Sequence, residues 1–147
     1  MNDLYSHEYF MNLALKEAEI AFEKDEVPVG AIIVSNNKII AKAHNLVQLL
    51  NDVTAHAEMQ AITAAANFLG SKYLHNCSIY ITLEPCPMCA AALYWSQIDT
   101  LVYGATDMKR GFIKENTNIH PKTKVIKGIK EQECGQLLTR FFEKKRK

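Results

Sequence analysis

The sequence feature that most constrains the fold is an apolar strand that runs directly into the start of a helix. Residues 79–83 are β-branched, aromatic or leucine and predict a buried strand. Glu84-Pro85-Cys86-Pro87 follows as a sharp turn. Pro87 suits the first position of a helix that reaches Trp95, because a backbone N–H has no partner there. In open α/β sheets, sites form beyond the carboxyl ends of strands, so this junction is the expected position of a site.

The rest of the chain alternates between strand and helix patterns. We predict helices at about 7–24, 55–68, 87–95 and 131–145, and strands at 29–34, 39–43, 79–83, 99–103 and 123–126. Asparagines at the turn after the first strand tolerate the positive φ that tight hairpins need, so the first two strands form a hairpin. The alternation predicts an α/β layered domain, and the hairpin makes its sheet mixed.

Length and composition are those of one ordinary globular domain, which we expect to span residues 1–147. The chain has 147 residues, of which 48% are apolar and 22% are charged. No apolar run approaches the roughly 20 residues that cross a bilayer. The first residues show neither the basic region nor the apolar run of a secretory leader, so the expected location is the cytoplasm and no membrane partner is expected.

Charge is distributed unevenly along the chain. The net charge is only +1, but residues 101–130 hold seven Lys/Arg against two Asp/Glu, and residues 139–147 hold five against one. The second half is therefore where an anionic partner would dock. The alternative is a solvated helix face followed by a frayed basic tail.

Two helix starts carry residues with metal-binding chemistry. His56 and Glu58 lie at the start of the second predicted helix, and Cys86 and Cys89 lie at the start of the third. A catalytic zinc takes three imidazole or thiolate ligands and keeps a fourth position for water. A helix N-terminus favours the thiolate form that a metal needs. The sequence therefore predicts a Zn²⁺ site formed by His56, Cys86 and Cys89.

Glu58 is the predicted catalytic residue, a proton carrier beside the metal. Residues two apart do not share a face of a regular helix, but the geometry at a helix start is looser. Two other interpretations of the cysteines stay open. Cys86 and Cys89 could form a redox pair, which leaves His56 and Glu58 unexplained. A structural zinc site would need a fourth ligand, for which the candidates are Cys77, His75 and His44.

His-Ala-Glu followed by Pro-Cys-x-x-Cys resembles the signature of the zinc nucleobase deaminases. Over nearly its whole length the chain resembles the bacterial tRNA-specific adenosine deaminases of the cytidine/deoxycytidylate deaminase superfamily. The matching pieces are Ser6–Tyr9, Glu26–Ala31, Asn45, Asp52–Glu58, Thr82–Cys86, Gly104-Ala105, Asp107-x-Lys109-x-Gly111 and Phe141-Phe142. The chain departs from the family at Val53, where proline is usual, and in the loop 112–122, which lacks the usual small residues.

The resemblance implies a three-layer α/β/α cytidine-deaminase-like fold with a central mixed five-stranded sheet. It also implies a homodimer that converts the wobble adenosine of a tRNA anticodon loop to inosine. Substrate contacts are expected from Asn45, Ala57, Glu84, Asp107, Lys109 and Phe142. Without the resemblance, Asn45 reads as a turn residue, Glu84 as a surface residue, Asp107 and Lys109 as loop charges, and Phe141 and Phe142 as core anchors.

Two other functions share parts of this pattern. A deaminase of a free base or nucleoside, such as guanine or cytosine, would have the same metal site without needing the basic second half. A zinc-stabilised RNA-binding module would have no use for Glu58. These alternatives are separated by the substrate that is turned over and by the role of Glu58.

Overall fold

A computed structural model describes residues 5–146. The strands are β1 (Gly30–Ser35), β2 (Lys38–His44), β3 (Cys77–Leu83), β4 (Thr100–Ala105) and β5 (Lys124–Lys127). The helices are α1 (His7–Glu23), α2 (Val47–Leu50), α3 (Ala57–Leu69), α4 (Pro87–Ser96) and α5 (Glu131–Lys145). The sheet order is β2-β1-β3-β4-β5. β1 is antiparallel to β2 and β3, whereas β3, β4 and β5 are parallel, so the predicted mixed five-stranded sheet is confirmed.

Helices cover both faces of the sheet, as the α/β/α prediction requires. On one face, small alanines of α3 and α4 pack on the apolar side chains of β1, β3 and β4. On the other face, Phe10, Met11 and Ala14 of α1 pack with Ile32, Tyr80 and Cys134. Alternate residues of each strand point to opposite faces, which is why a buried central strand such as β3 is apolar on both sides.

α1 lies unusually close to β1, and Gly30 makes this possible. A Cβ on Gly30 would lie 2.1 Å from the carbonyl oxygen of Ala14 and 2.6 Å from the nitrogen of Ala18. Both atoms belong to the backbone of α1, so a side chain at position 30 would push the whole helix away. The hairpin that follows turns at Asn36 and Asn37, which both have positive φ as predicted.

The structure adds one helix to the prediction, the four-residue α2 within the polar loop. Its single turn is too short to show a helical period in the sequence. β3 begins two residues earlier than predicted, at Cys77, because this residue pairs with Ser35 at the end of β1. Cys77 and Cys134 are both buried in the core. Among residues 5–146, no helix combines the length and the apolar character needed to span a membrane.

Candidate metal centre

The candidate site lies where the N-termini of α3 and α4 meet. His56 and Cys86 are the residues that precede the two helices, and both have extended backbones, with φ/ψ of −69°/154° and −73°/170°. Pro87 occupies the first turn of α4, and Cys89 follows in the same turn. The extended backbone before each helix turns the His56 and Cys86 side chains toward the shared space. The sequence therefore places its three predicted ligands at two helix ends.

The spacing of the three donor atoms fits a tetrahedral zinc ion. The Nδ1 atom of His56 lies 3.7 Å from the Cys86 sulfur and 3.4 Å from the Cys89 sulfur. Usual Zn–N and Zn–S bond lengths with tetrahedral angles put such atoms about 3.6 Å apart. His56 and Cys86 are partly exposed and Cys89 is fully buried, so one side of the site is accessible. The donors present thus fit the three-ligand, open type of zinc site.

The residues considered as a fourth ligand make contacts elsewhere. His44 contacts Glu17 and Lys24, His75 contacts Gln97, and the Cys77 thiol donates to the carbonyl of His75. Within residues 5–146, the site's cluster of potential donors contains His56, Cys86 and Cys89 and no further His, Cys, Asp or Glu. This geometry favours an open coordination position over a closed structural site.

The three predicted ligands interact with one another electrostatically. A hydrogen bond from the Cys89 thiol, together with one from His56, lowers the pKa of the Cys86 thiol to about 4. The same bond and burial raise the pKa of Cys89, and the bond to Cys86 raises the pKa of His56. Cys86 is therefore a thiolate at neutral pH, the form in which cysteine binds a metal.

Glu58 lies in the first turn of α3 and is only 4% exposed. Burial is the main cause that raises the pKa of its carboxyl to about 7, and the Cys89 thiol is among the groups that interact with it. A carboxyl with such a pKa takes up and releases a proton readily near neutral pH. The backbone of His56 is extended and precedes the helix. The side chains of residues 56 and 58 can therefore point to the same side, which they could not do within a regular helix.

Asn45 and Ala57 lie beside the ligands. The amide nitrogen of Asn45 donates to the carbonyl of Val27 at 3.3 Å, and its oxygen accepts from the backbone of Val47 at 3.3 Å. The next residue, Leu46, donates to the carbonyl of Ala55 at 3.0 Å, so this segment is tied to the residue before His56. Ala57 is fully buried at the start of α3. The structure therefore brings both predicted contacts to the same edge of the sheet.

The remaining predicted substrate contacts lie in two places, at the loop that follows β4 and on α5. Glu84 is 2% exposed, and its carboxylate accepts from the backbone N–H groups of Asp107 and Ile113. The Asp107 side chain in turn accepts from the backbone N–H groups of Lys109 and Arg110, whose side chains are exposed. Phe142 is 44% exposed on α5, which packs on the other face of the sheet from α3 and α4. Its neighbour Phe141 is the buried one of the pair.

Glu26 was not predicted as a site residue. It is 1% exposed, and its carboxylate accepts from the backbone N–H groups of Gln48 and Leu49 at 3.0 and 2.7 Å. Glu26 thereby holds the start of α2, next to Asn45. The available signal is an acidic residue a few positions before a buried apolar strand, where its charge needs partners.

The fold and the donor set are those of a zinc-binding deaminase domain, and comparison with known proteins agrees. The chain belongs to the cytidine and deoxycytidylate deaminase family, whose zinc-binding region matches residues 4–105.

Its relatives within that family are narrower in function. The tRNA-specific adenosine deaminase of Aquifex aeolicus (strain VF5) is 48% identical over 144 residues, which cover 95% of each chain. The tRNA-specific adenosine deaminase of Bacillus subtilis (strain 168) is 42% identical, over 95% of this chain and 91% of the relative. A solved structure from work on A-to-I editing by tRNA:A34 deaminases is 42% identical, with a TM-score of 0.82, and covers 88% of this chain and 99% of the other.

Proposed function

We propose that this chain is an enzyme that hydrolyses adenosine to inosine at the wobble position of a tRNA anticodon loop. The observation that carries the proposal is the convergence of three zinc-type donors and a buried glutamate at two helix starts. Relatives that match at 42–48% identity over nearly the whole chain are tRNA-specific adenosine deaminases. Cytoplasm is the corresponding expected location.

His56, Cys86 and Cys89 would hold the metal. When bound, zinc supplies Lewis acidity that lowers the pKa of water to about 7. Glu58 is the proposed catalytic residue, and its carboxyl lies beside the ligands. It accepts a proton from the attacking water and passes it to the ring nitrogen; it then takes the second proton, from the hydroxyl group added to the ring, and passes it to the amino group, which leaves as ammonia. Burial excludes competing water from this carboxyl, and the prolines on both sides of Cys86 hold the thiolate rigidly.

An RNA loop suits both the site and the charge of the chain. Single-stranded loop bases can be splayed into a pocket at little cost, and the partly exposed side of the ligand cluster gives a base access. Lys109 and Arg110 are exposed next to the strand that leads to Cys86, so they are available to RNA phosphates. Asn45 and Ala57 are the proposed contacts of the base, and Phe142 is a proposed stacking contact of the RNA.

A homodimer is part of the proposal. Leu49, Leu50 and Val53 are 65%, 53% and 78% exposed on α2 and the turn before His56. Apolar side chains that are exposed together favour a protein partner. Sedimentation of the zinc-loaded protein should show a dimer at micromolar concentration, and Val53→Asp should shift the equilibrium toward the monomer.

The decisive experiment compares substrates. Zinc-loaded protein is incubated with an anticodon stem-loop that carries a wobble adenosine and, separately, with guanine, cytosine and adenosine, and inosine and ammonia are measured. Inosine should form only in the reaction that contains the RNA. Ammonia from a free base with none from the RNA would show a deaminase of small substrates, and RNA binding without turnover would show a binding module.

A further inference from the structure

The loop that follows β4 is fastened to the two residues in front of the metal ligand Cys86. The carboxylate of Glu84 accepts from the N–H groups of Asp107 at 3.0 Å and Ile113 at 3.1 Å. The carbonyl of Pro85 accepts from the N–H of Phe112 at 2.9 Å. Both ends of the loop therefore donate hydrogen bonds to the same side chain, that of Glu84. We refer to residues 107–113 as the anchored loop.

The burial of the Glu84 carboxylate is energetically unfavourable by itself. It is 2% exposed, and within the part of the chain that the structure describes it forms no salt bridge. Burying a charge costs much unless it is fully hydrogen-bonded. Here both carboxylate oxygens are used, one for each end of the anchored loop, in charge-assisted bonds to backbone N–H groups. The arrangement fixes the position of a backbone segment more than it strengthens a core.

Gly111 packs closely against the same carboxylate. A Cβ at this position would lie 2.3 Å from Cδ and from Oε2 of Glu84, and 2.6 Å from the carbonyl oxygen of Asp107. The φ angle of Gly111 lies outside the left-handed region, so an L side chain could adopt its backbone conformation. Lack of space beside Glu84 is therefore what requires glycine here.

The anchored loop presents two cations outward. The Asp107 carboxylate accepts from the N–H groups of Lys109 and Arg110 at 3.0 and 2.9 Å, so the backbone under both side chains is fixed. On the inner side, the Phe112 ring packs edge-on against Tyr103, with 6.1 Å between ring centroids. Both cations thus have a defined position relative to Cys86, two residues after Glu84.

We propose that Glu84 is a positioning residue that holds Lys109 and Arg110 at a set distance from the metal centre, where they receive RNA phosphates beside the reacting adenosine. Glu84 itself touches neither base nor phosphate. This inference rests on the proposed function, because the RNA supplies the phosphates. Glu84 thus affects RNA binding through the anchored loop and not through direct contact with the substrate.

The test is a double-mutant cycle on the zinc-loaded dimer with the anticodon stem-loop as substrate. Glu84→Gln keeps one acceptor oxygen but turns an NH₂ group toward a backbone N–H. We expect KM to rise about tenfold, the size of one lost charged hydrogen bond, with a smaller change in kcat and no loss of zinc. Lys109→Ala should raise KM in the wild-type background and have little further effect in the Glu84→Gln background.

Glu26→Gln is the matched control, because Glu26 is an equally buried carboxylate that accepts from two backbone N–H groups in another loop. In that background Lys109→Ala should keep its full effect. Gly111→Ala disturbs the same contact from the loop side and should reproduce the raised KM and the lost Lys109 effect, even if Glu84→Gln folds poorly. Amide hydrogen exchange at Asp107 and Ile113 should accelerate in both Glu84→Gln and Gly111→Ala.

Full additivity of Glu84→Gln and Lys109→Ala, or a loss confined to kcat, would overturn the positioning role while the wild type still edits RNA. A wild type that is inactive on RNA would instead overturn the proposed function. The two failures are therefore separate.

Discussion

At the scale of single residues, the site combines three potential metal donors with Glu58, the proposed proton carrier, and their environments differ. Cys86 is held as a thiolate by hydrogen bonds from Cys89 and His56, which suits a ligand. Burial raises the pKa of Glu58 to about 7, which suits a group that exchanges protons. The difference has two causes: hydrogen bonds lower the pKa of the partly exposed Cys86, whereas burial raises the pKa of Glu58.

Substitution of Glu58 should separate chemistry from metal binding. Glu58→Gln removes the exchangeable proton and preserves the shape, so we expect kcat to fall by about 10²–10⁴-fold with unchanged zinc content. Turnover of the anticodon stem-loop and metal analysis of the same sample measure both. Loss of zinc would mean that Glu58 supports the ligands instead of moving protons.

The two fully buried cysteines Cys89 and Cys77 make a matched pair. Cys89→Ser should lower zinc content strongly and lower the melting temperature, since metal binding stabilises the folded state. Cys77→Ser removes a thiol that donates to the carbonyl of His75 and is not among the clustered metal donors, so zinc content should stay the same. Equal zinc loss in both variants would point to general unfolding and would argue against Cys89 as a ligand.

Residue types and spacing predict the donors, because Cys-x-x-Cys at a helix start leaves few other arrangements. They do not predict the partners of Glu84. Its acceptor bonds go to backbone N–H groups 23 and 29 residues away, and every residue except proline carries such a group. No choice of side chain marks that contact, and only Gly111 hints at it through its small size.

At the scale of elements, close packing of α1 on β1 depends on Gly30. Gly30→Ala places a methyl group against the backbone of α1 and should destabilise the protein by about 3 kcal/mol or more. The control is Gly135→Ala in α5, where a Cβ meets nothing within 4 Å, and it should stabilise by about 0.5–1 kcal/mol. Urea unfolding measures both, and a harmless Gly30→Ala would show that α1 can shift.

The long helices could be predicted because each buries apolar side chains with a helical period, and the central strands because they are continuous apolar runs. Only part of the sheet order could be predicted from the sequence, because the hairpin places β1 beside β2 but leaves the order of the other strands open. The position of α2 could not be predicted, because this single turn is held by the carboxylate of Glu26 and buries none of its own side chains. Its structure depends on tertiary contacts rather than on local sequence.

At the scale of the whole molecule, positive charge should govern RNA affinity. We expect binding to weaken as salt rises, and Lys109→Ala should reduce the slope of log K against log salt by about one. Lys72→Ala is the control, because Lys72 is exposed before β3, at the opposite end of the strand from Cys86. Filter binding at several salt concentrations measures the slopes, and equal effects of both substitutions would contradict a localised contact.

The bonds between Glu84 and the anchored loop join the family's zinc-binding region to the part of the chain that follows it. The match to that zinc-binding region ends at residue 105, so Glu84 lies inside it and Gly111 lies beyond it. A chimera that replaces everything after Ala105 with the corresponding segment of another deaminase would therefore pair Glu84 with a foreign loop. We expect such hybrids to work only when the incoming segment brings a glycine opposite Glu84, which makes this pair a compatibility rule for exchanging specificity.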